Sequence, residues 1–257
     1  MNPSVPDISV VVLAYRSGDT IASFVQPLIA SLEEVEPNWE IILVGNYMEN
    51  SGDSTPQVVR ALAEKHPRIR AVTEVKQGMM GWDMRAGLEA ARGKTLAVID
   101  GDNQMPYADV VRVYQKMRAE RLDLVKTYRV RREDGPYRRA ISACYNNFFK
   151  ILFPGLKSRD INSKPKIMSR RVYQSMDLTS NGWFIDAEIM IQARRLNLRI
   201  GEVATHFQCL YNRPSFVKPL AILEFFGNLI WSRIREFRFL FKKKTPPIRE
   251  TGLDFVE

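Results

Sequence analysis

Asp100, Asp102 and Gln104 place two carboxylates and a side-chain amide within five positions, with Gly101 and Asn103 between them. All three offer hard oxygen donors, the ligand type that suits Mg²⁺ or Mn²⁺ held together with substrate phosphate oxygens. The same residues would also serve as a strand end followed by a polar Asx turn. Thr95 to Ile99, just before them, is a short apolar run with the pattern of a buried strand. Acids that follow such a strand sit at its carboxyl edge, where open α/β sheets bind ligands.

A second concentration of chemistry is basic. Tyr128 to Arg139 carries five arginines in twelve residues, interrupted by Gly135-Pro136. Guanidinium groups at that density repel unless an anion answers them, and their forks match phosphate oxygens; a solvated charged loop is the alternative. Ala140 to Leu152 follows with helical spacing of Ile141, Tyr145, Phe148, Phe149 and Leu152. A basic loop beside an aromatic helix suits an amphiphile with an anionic head, and core packing explains the aromatics equally well. Asp186 and Glu188 open a further helix, Ala187 to Leu196. There they either complement its dipole or face an acceptor.

The elements needed to position these groups are legible from periodicity. Ile8 to Leu13, Glu40 to Val44, Ile69 to Thr73 and Thr95 to Ile99 read as buried strands. Helices at Ile21 to Leu32 (kinked by Pro27), Val58 to Lys65 and Asp83 to Ala91 separate them. Repeated strand–helix alternation predicts an open, mostly parallel α/β sheet. Further on, Tyr107 to Arg121 is helical, Leu122 to Thr127 a strand, Tyr128 to Arg139 a loop, and Arg199 to Thr205 a last strand. Leu223, Phe226, Ile230, Ile234, Phe237 and Phe241 then recur at three- and four-residue steps. Arg233, Arg235, Arg238 and Lys242 to Lys244 flank this stripe. That is the pattern of an interfacial helix on an acidic membrane, or of a helix docked on the domain or a second subunit.

Size and charge bound the function. A chain of 257 residues can bury a substantial core. Its 38 Lys and Arg against 29 Asp and Glu give a formal net charge of +9, which predicts an anionic partner. No zinc-finger spacing or aromatic RNA-binding motif directs that partner toward nucleic acid. Cys144 and Cys209 lie in no metal-ligand spacing, and they predict a reducing compartment without a disulfide framework. Met1 to Asp7 lacks the pattern of a secretion leader, and no window is long and apolar enough to span a bilayer. A soluble or peripheral protein is expected.

Together these residues resemble family 2 glycosyltransferases of the GT-A fold, a Rossmann-like nucleotide-sugar-binding architecture. The likeness is strongest to the dolichol-phosphate mannose synthase branch and its polyprenyl-phosphate relatives, over roughly Ile8 to Lys218. Asp100-Gly101-Asp102-Asn103-Gln104 with Pro106 is similar to that family's Asp-Ala-Asp-Leu-Gln motif. The resemblance implies that Asp100 and Gly101 contact the sugar-nucleotide and that Asp102 and Gln104 hold Mg²⁺ or Mn²⁺. Ala14 and Tyr15 fall in the first-strand motif under the base, and Lys76 with Gly78 in the basic-Gly loop. Arg138-Arg139-Ala140-Ile141-Ser142, with Asn146, resembles the lipid-phosphate enzymes' acceptor segment. It implies that Arg138 and Ser142 bind the acceptor phosphate, with Arg129 as a second clamp. Asp160-Ile161-Asn162-Ser163 with Lys166 resembles Asp-x-Thr-Ser-Gly-Phe-Arg, and Arg213 and Lys218 resemble the closing loop around the diphosphate. The chain departs from the pattern in lacking Asp-Asp after the second strand, where Asn46, Glu49 or Asp53 must read the base. It also places Lys164-Pro165 where the family has Gly-Phe.

The implied activity is a metal-dependent, inverting transfer of a mannose- or glucose-like hexose from a GDP- or UDP-sugar to a polyprenyl or dolichyl phosphate. An acceptor phosphate is already ionised and needs no general base. A hydroxyl acceptor would need one, with Asp186 as the candidate and Glu188 behind it. A non-catalytic nucleotide-sugar-binding module is the third reading. The expected organisation is a glycosyltransferase domain over 1–217, an amphipathic membrane-interfacial helix over 218–245 and a flexible tail over 246–257. The expected location is peripheral, on the cytosolic face of an anionic membrane.

Overall fold

A computed structural model describes residues 4–132, 136–208 and 219–240. Seven strands form one sheet in the order β3-β2-β1-β4-β6-β5-β7. They are β1 (Ile8–Leu13), β2 (Trp39–Val44), β3 (Ile69–Val72), β4 (Thr95–Asp100), β5 (Leu124–Arg132), β6 (Lys166–Ser169) and β7 (Ile200–Phe207). The first four strands pair in parallel, as the strand–helix alternation predicts. β6 is inserted antiparallel between β4 and β5, and β7 pairs in parallel with β5. This reversal has a direct consequence: β6 begins at the edge where β4 ends, so the loop before β6 reaches the acids that close β4.

Helices cover both faces. α1 (Ile21–Val35), α2 (Thr55–Lys65) and α4 (Ala108–Ala119) pack on the face made by Val10, Val12, Ile41, Leu43, Ala97 and Ile99. α3 (Met80–Ala90), α5 (Pro136–Leu152), α6 (Arg170–Gln174), α7 (Ile185–Arg195) and α8 (Pro219–Leu240) lie on the other face. Val11, Leu13, Ile42, Val44 and Val98 meet them there. Burial on both faces is why β1 and β2 read as continuous apolar runs. α1 runs from Ile21 to Val35 with Pro27 inside it.

The basic run does not form one loop. β5 continues to Arg132 because it stays paired with β7 as far as Phe207, across an irregularity between Arg129 and Arg131. α5 then starts at Pro136, four residues before the expected Ala140. Pro is well suited to a first helical position.

α8 also divides its apolar stripe. Leu229 is buried, and Phe225 and Phe226 pack edge-on against Tyr145, so this side docks onto α5. Ile230, Trp231 and Ile234 are 46, 55 and 46 % exposed and point away. Arg233 is turned inward, paired with Glu236 and lying over Phe153. Among the described residues no helix is long and apolar enough to cross a membrane.

α3 crosses β1 and β2 at Gly87, where an added Cβ would lie 2.3 Å from Val11 Cγ1 and 2.7 Å from Val44 Cγ2. Gly87→Ala should therefore lower stability by about 1–3 kcal/mol, the usual cost of overpacking a close contact. Urea denaturation checks this, and an unchanged midpoint would show that α3 can retreat freely.

Candidate active site

Asp100 is the last residue of β4, and its side chain is one-third exposed at the carboxyl edge of the sheet. The chain then turns under tight packing: Gly101 donates its N–H to Leu13 O at 2.9 Å and is buried against Val12 and Ile21. Asn103 adopts a left-handed φ of 62°, a conformation that Asn tolerates better than most residues. Asp102 Oδ1 accepts the Gln104 N–H at 3.1 Å. The Asx-type turn expected of the sequence is therefore present, and it uses Asp102, one of the two proposed ion ligands.

Beneath Asp100 lies a buried layer of charge. Lys164 Nζ is 3.2 Å from Asp100 Oδ2 and 3.0 Å from Asp186 Oδ2. Lys166 Nζ bonds the other oxygen of Asp186 and also donates to Ser163 O at 2.9 Å. Lys164 and Asp186 are 4 % and 2 % exposed. Burial works to raise the Asp186 carboxyl, but Lys164 and Lys166 together hold it below its ordinary value. Burial pushes the Lys166 ammonium down to about 8, against the pull of Asp186 and with the help of Lys164 and Lys126. Lys164 is held above the ordinary lysine value because Asp100 and Asp186 outweigh its burial. Asp186 is therefore an enclosed, ionised counter-charge with both oxygens engaged, whereas a base for a hydroxyl acceptor needs an oxygen facing the substrate. Glu188 is engaged as well: it accepts from the backbone N–H groups of Thr179 and Ser180. The next residues, Asn181 and Gly182, accept from the N–H groups of Met79, Trp82 and Gly81 at the start of α3.

A second buried group lies by Tyr15, just beyond β1. Lys76 bonds Asp83 of α3, and its Nζ sits 4.4 Å from the centre of the Tyr15 ring. Asn46 donates to Asp83 Oδ1 at 3.0 Å and accepts the Glu74 N–H at 2.8 Å. Burial raises the Asp83 carboxyl above its ordinary value despite these partners. Ala14 is fully buried, its N–H bonded to Val44 O. Of the three base-reading candidates, Asn46 uses both ends of its amide within the protein. Asp53 binds Thr55 through Oδ1 and leaves Oδ2 buried without a hydrogen-bond partner. Thr55 Oγ1 in turn accepts the Ser17 N–H at 2.9 Å, which joins this loop to the turn after Tyr15.

The acceptor candidates divide. Arg129 forms a two-pronged pair with Asp160, Nε at 2.6 Å and Nη2 at 2.8 Å. The next residue, Ile161, donates its N–H to Asn146 Oδ1 at 3.0 Å, and Asn146 Nδ2 lies 3.5 Å from Ser142 Oγ. The structure thus brings Arg129, Asp160, Asn146 and Ser142 into one connected group. Arg213 and Lys218 lie outside the described residues, as does the Arg138 side chain. Lys164 and Asp83 went unassigned in the sequence. The replacement of Gly by Lys164 was a signal for the first, and nothing local distinguishes the second.

Among the described residues, no group of three or more His, Cys, Asp or Glu side chains is placed to hold a cation. A strand-end carboxylate, a second carboxylate and an amide nonetheless fit an ion that takes its remaining ligands from substrate phosphate and water, the usual habit of Mg²⁺.

A family comparison decides the assignment: the sequence profile described as glycosyl transferase family 2 matches residues 9–179. The chain belongs to glycosyl transferase family 2. It is 28 % identical over 204 residues to glycosyltransferase AglD of Haloferax volcanii, covering 76 % of this chain and 32 % of that protein. It is 25 % identical over 173 residues to dodecaprenyl-phosphate galacturonate synthase of Rhizobium johnstonii, covering 67 % of this chain and 50 % of the relative. The chain thus spans 32 % and 50 % of these two relatives' length. A dolichyl-phosphate beta-glucosyltransferase of Drosophila melanogaster is 25 % identical over 227 residues, covering 78 % and 67 % of the two chains. The last two of these relatives are named for a lipid phosphate, dodecaprenyl and dolichyl respectively, in line with the branch that the sequence resembles. The fold matches mannosyl-3-phosphoglycerate synthase of Rubrobacter xylanophilus with a TM-score of 0.70 at 18 % identity, over 94 % of this chain and 77 % of the other. It also matches glucosyl-3-phosphoglycerate synthase of Mycobacterium tuberculosis, in complex with Mn²⁺, UDP and glucosyl-3-phosphoglycerate. That TM-score is 0.65 at 21 % identity, over 89 % and 80 % of the two chains. The GT-A fold expected of the family 2 resemblance is the fold found.

Removing one member of a buried ion group leaves its partners uncompensated, at a cost of about 3–5 kcal/mol. Asp186→Asn should lower stability by that order at pH 7. The deficit should shrink toward pH 10, because Lys166 without Asp186 titrates even lower and sheds its proton at less cost as pH rises through the lysine range. Urea denaturation of both proteins at the two pH values checks this. An equal deficit at both would mean that Asp186 acts through packing and not charge.

Proposed function

We propose that this domain transfers a hexose, mannose- or glucose-like, with inversion from a nucleotide-diphospho-sugar to a polyprenyl phosphate, using Mg²⁺ or Mn²⁺. The observation that carries this reading is the enclosure of Asp186 between Lys164 and Lys166. With its one candidate base withdrawn from solvent, the site suits an acceptor that arrives already ionised, as a phosphate does. Relatives named for dodecaprenyl and dolichyl phosphate support the acceptor class.

In this reading Asp102 and Gln104 hold the ion, whose part is to offset charge developing on the leaving nucleoside diphosphate. Asp100 orients the sugar-nucleotide from the strand end, beside Gly101. Tyr15, with Lys76 beneath its ring, receives the base, and Ala14 shapes the floor. Asp53, whose Oδ2 lacks a hydrogen-bond partner, reads a base N–H in place of Asn46 once that oxygen turns out of the interior. A UDP- or a GDP-sugar offers such a group. Arg213 and Lys218 add positive charge toward the diphosphate, Lys166 being buried and engaged by Asp186, and Arg129, Arg138 and Ser142 take the acceptor phosphate.

The lipid acceptor implies work at a membrane. Ile230, Trp231 and Ile234 on the outer side of α8, with Ile151 of α5 at 75 % exposure, supply an apolar surface for the bilayer interface. Arg235 is exposed beside them. The surplus positive charge favours an anionic, cytosolic leaflet.

Two outcomes test this reading. Asp102→Asn should reduce sugar transfer from nucleotide-sugar to a short polyprenyl phosphate by at least about 10²-fold, the scale for losing one electrostatic partner of the transition state. Transfer assays with UDP- and GDP-hexoses read it, and undiminished turnover would remove the carboxylate from the mechanism. Replacing Ile230, Trp231 and Ile234 with Ser should weaken salt-sensitive binding to anionic vesicles in a co-sedimentation assay. Unaltered binding would place the membrane contact elsewhere.

A further inference from the structure

Lys164 is a lysine at 4 % exposure that touches the strand-end acid of the site directly. Its ammonium is fixed from behind: Asp186 lies 3.0 Å away, and the Met80 sulfur at the start of α3 is 3.3 Å away. Asp186 is held in turn by Lys166, which is anchored on Ser163 O. Lys164 therefore has little freedom to swing clear of Asp100. Its position follows from the antiparallel course of β6, which delivers Lys164, two residues before the strand, to the carboxyl edge.

Charge at the site then differs from what Asp100 and Asp102 alone would present. The two acids carry two negative charges toward an incoming cation. Lys164 offsets one of them at contact distance, and Lys166 already balances Asp186. A divalent ion approaching the nucleotide-free protein meets less attraction than the two carboxylates alone would exert, because a fixed ammonium beside Asp100 repels it. A nucleoside diphosphate changes this balance, since its phosphate oxygens bring negative charge and further ligands with the ion.

We propose that Lys164 is a positioning residue that couples cation binding to nucleotide binding. Tied to Asp186, it holds Asp100 and suppresses occupancy of the site by a free divalent ion, so that the ion binds tightly only together with a diphosphate. The proposal rests on the reading of Asp102 and Gln104 as the ion's ligands. The coupling is reciprocal: the ion raises nucleotide affinity by the same factor.

Binding of Mn²⁺ to the full chain, followed by the electron paramagnetic resonance signal of the free ion with and without UDP, tests this without any turnover. The wild-type protein should bind Mn²⁺ at least about tenfold more tightly with UDP present, a typical allosteric coupling. Lys164→Gln and Lys164→Ala, checked for folding by circular dichroism, should bind Mn²⁺ alone on the order of tenfold more tightly than wild type, the scale on which one adjacent charge moves an ionic equilibrium. Their coupling to UDP should fall. Lys164→Arg keeps the charge and should retain coupling close to wild type. If both neutral variants bind Mn²⁺ alone as weakly as wild type, or if wild type binds it equally well with and without UDP, the role of Lys164 is overturned while the ion site stands. If wild type takes up no Mn²⁺ even with saturating UDP, the reading of Asp102 and Gln104 fails, and the proposal fails with it.

Discussion

Charged groups taken out of water must be neutralised at close range, and the carboxyl edge of this sheet is organised by that requirement. Asp186 is held ionised in the interior by Lys164 and Lys166, and Lys164 is held protonated by Asp100 and Asp186 together. Asp186 and the two lysines arrive from two segments, the approach to β6 and the first turn of α7, and their pairing fixes both against the end of β4. Asp100 inherits its orientation from this buried layer through Lys164. The side chain nearest to solvent is thus positioned by groups that solvent barely reaches.

The same requirement operates beside Tyr15. Asp83 of α3 is enclosed by Lys76 and Asn46, which come from the loops after β3 and β2. The pairing draws those loops together beneath Tyr15. Asn46 is thereby spent on structure, although it stands where the family resemblance implies a base-reading acid. Asp53 keeps one carboxylate oxygen in the interior without a hydrogen-bond partner.

Much of the fold was legible because it is written in local periodicity. The runs Ile8 to Leu13, Glu40 to Val44 and Thr95 to Ile99 are buried on both faces, and a parallel sheet follows from their alternation with helices. The Asp-Gly-Asp segment was legible because its donor types and its place after a strand are both local facts. What remained hidden depends on pairing between distant segments. Nothing near Lys166 declares that its strand runs antiparallel between β4 and β5, and nothing near Asp83 indicates that Asn46 and Lys76 will enclose it. The arginine-rich segment misled for a related reason. Its composition resembles a solvated loop, yet pairing with β7 carries β5 through Arg132. The α8 stripe was read as one face, and it divides because α5 offers aromatic partners to one side only.

The proposed function stands on the acidic strand end, with the lysines behind it, receiving an ion and a nucleoside diphosphate as a unit. Anomalous scattering from a crystal grown with MnCl₂ and UDP measures this most directly. The expected result is a single manganese peak within coordination distance of Asp102 and Gln104 and bridged to both UDP phosphates. Manganese bound elsewhere, or UDP bound with its phosphates away from the end of β4, would contradict it.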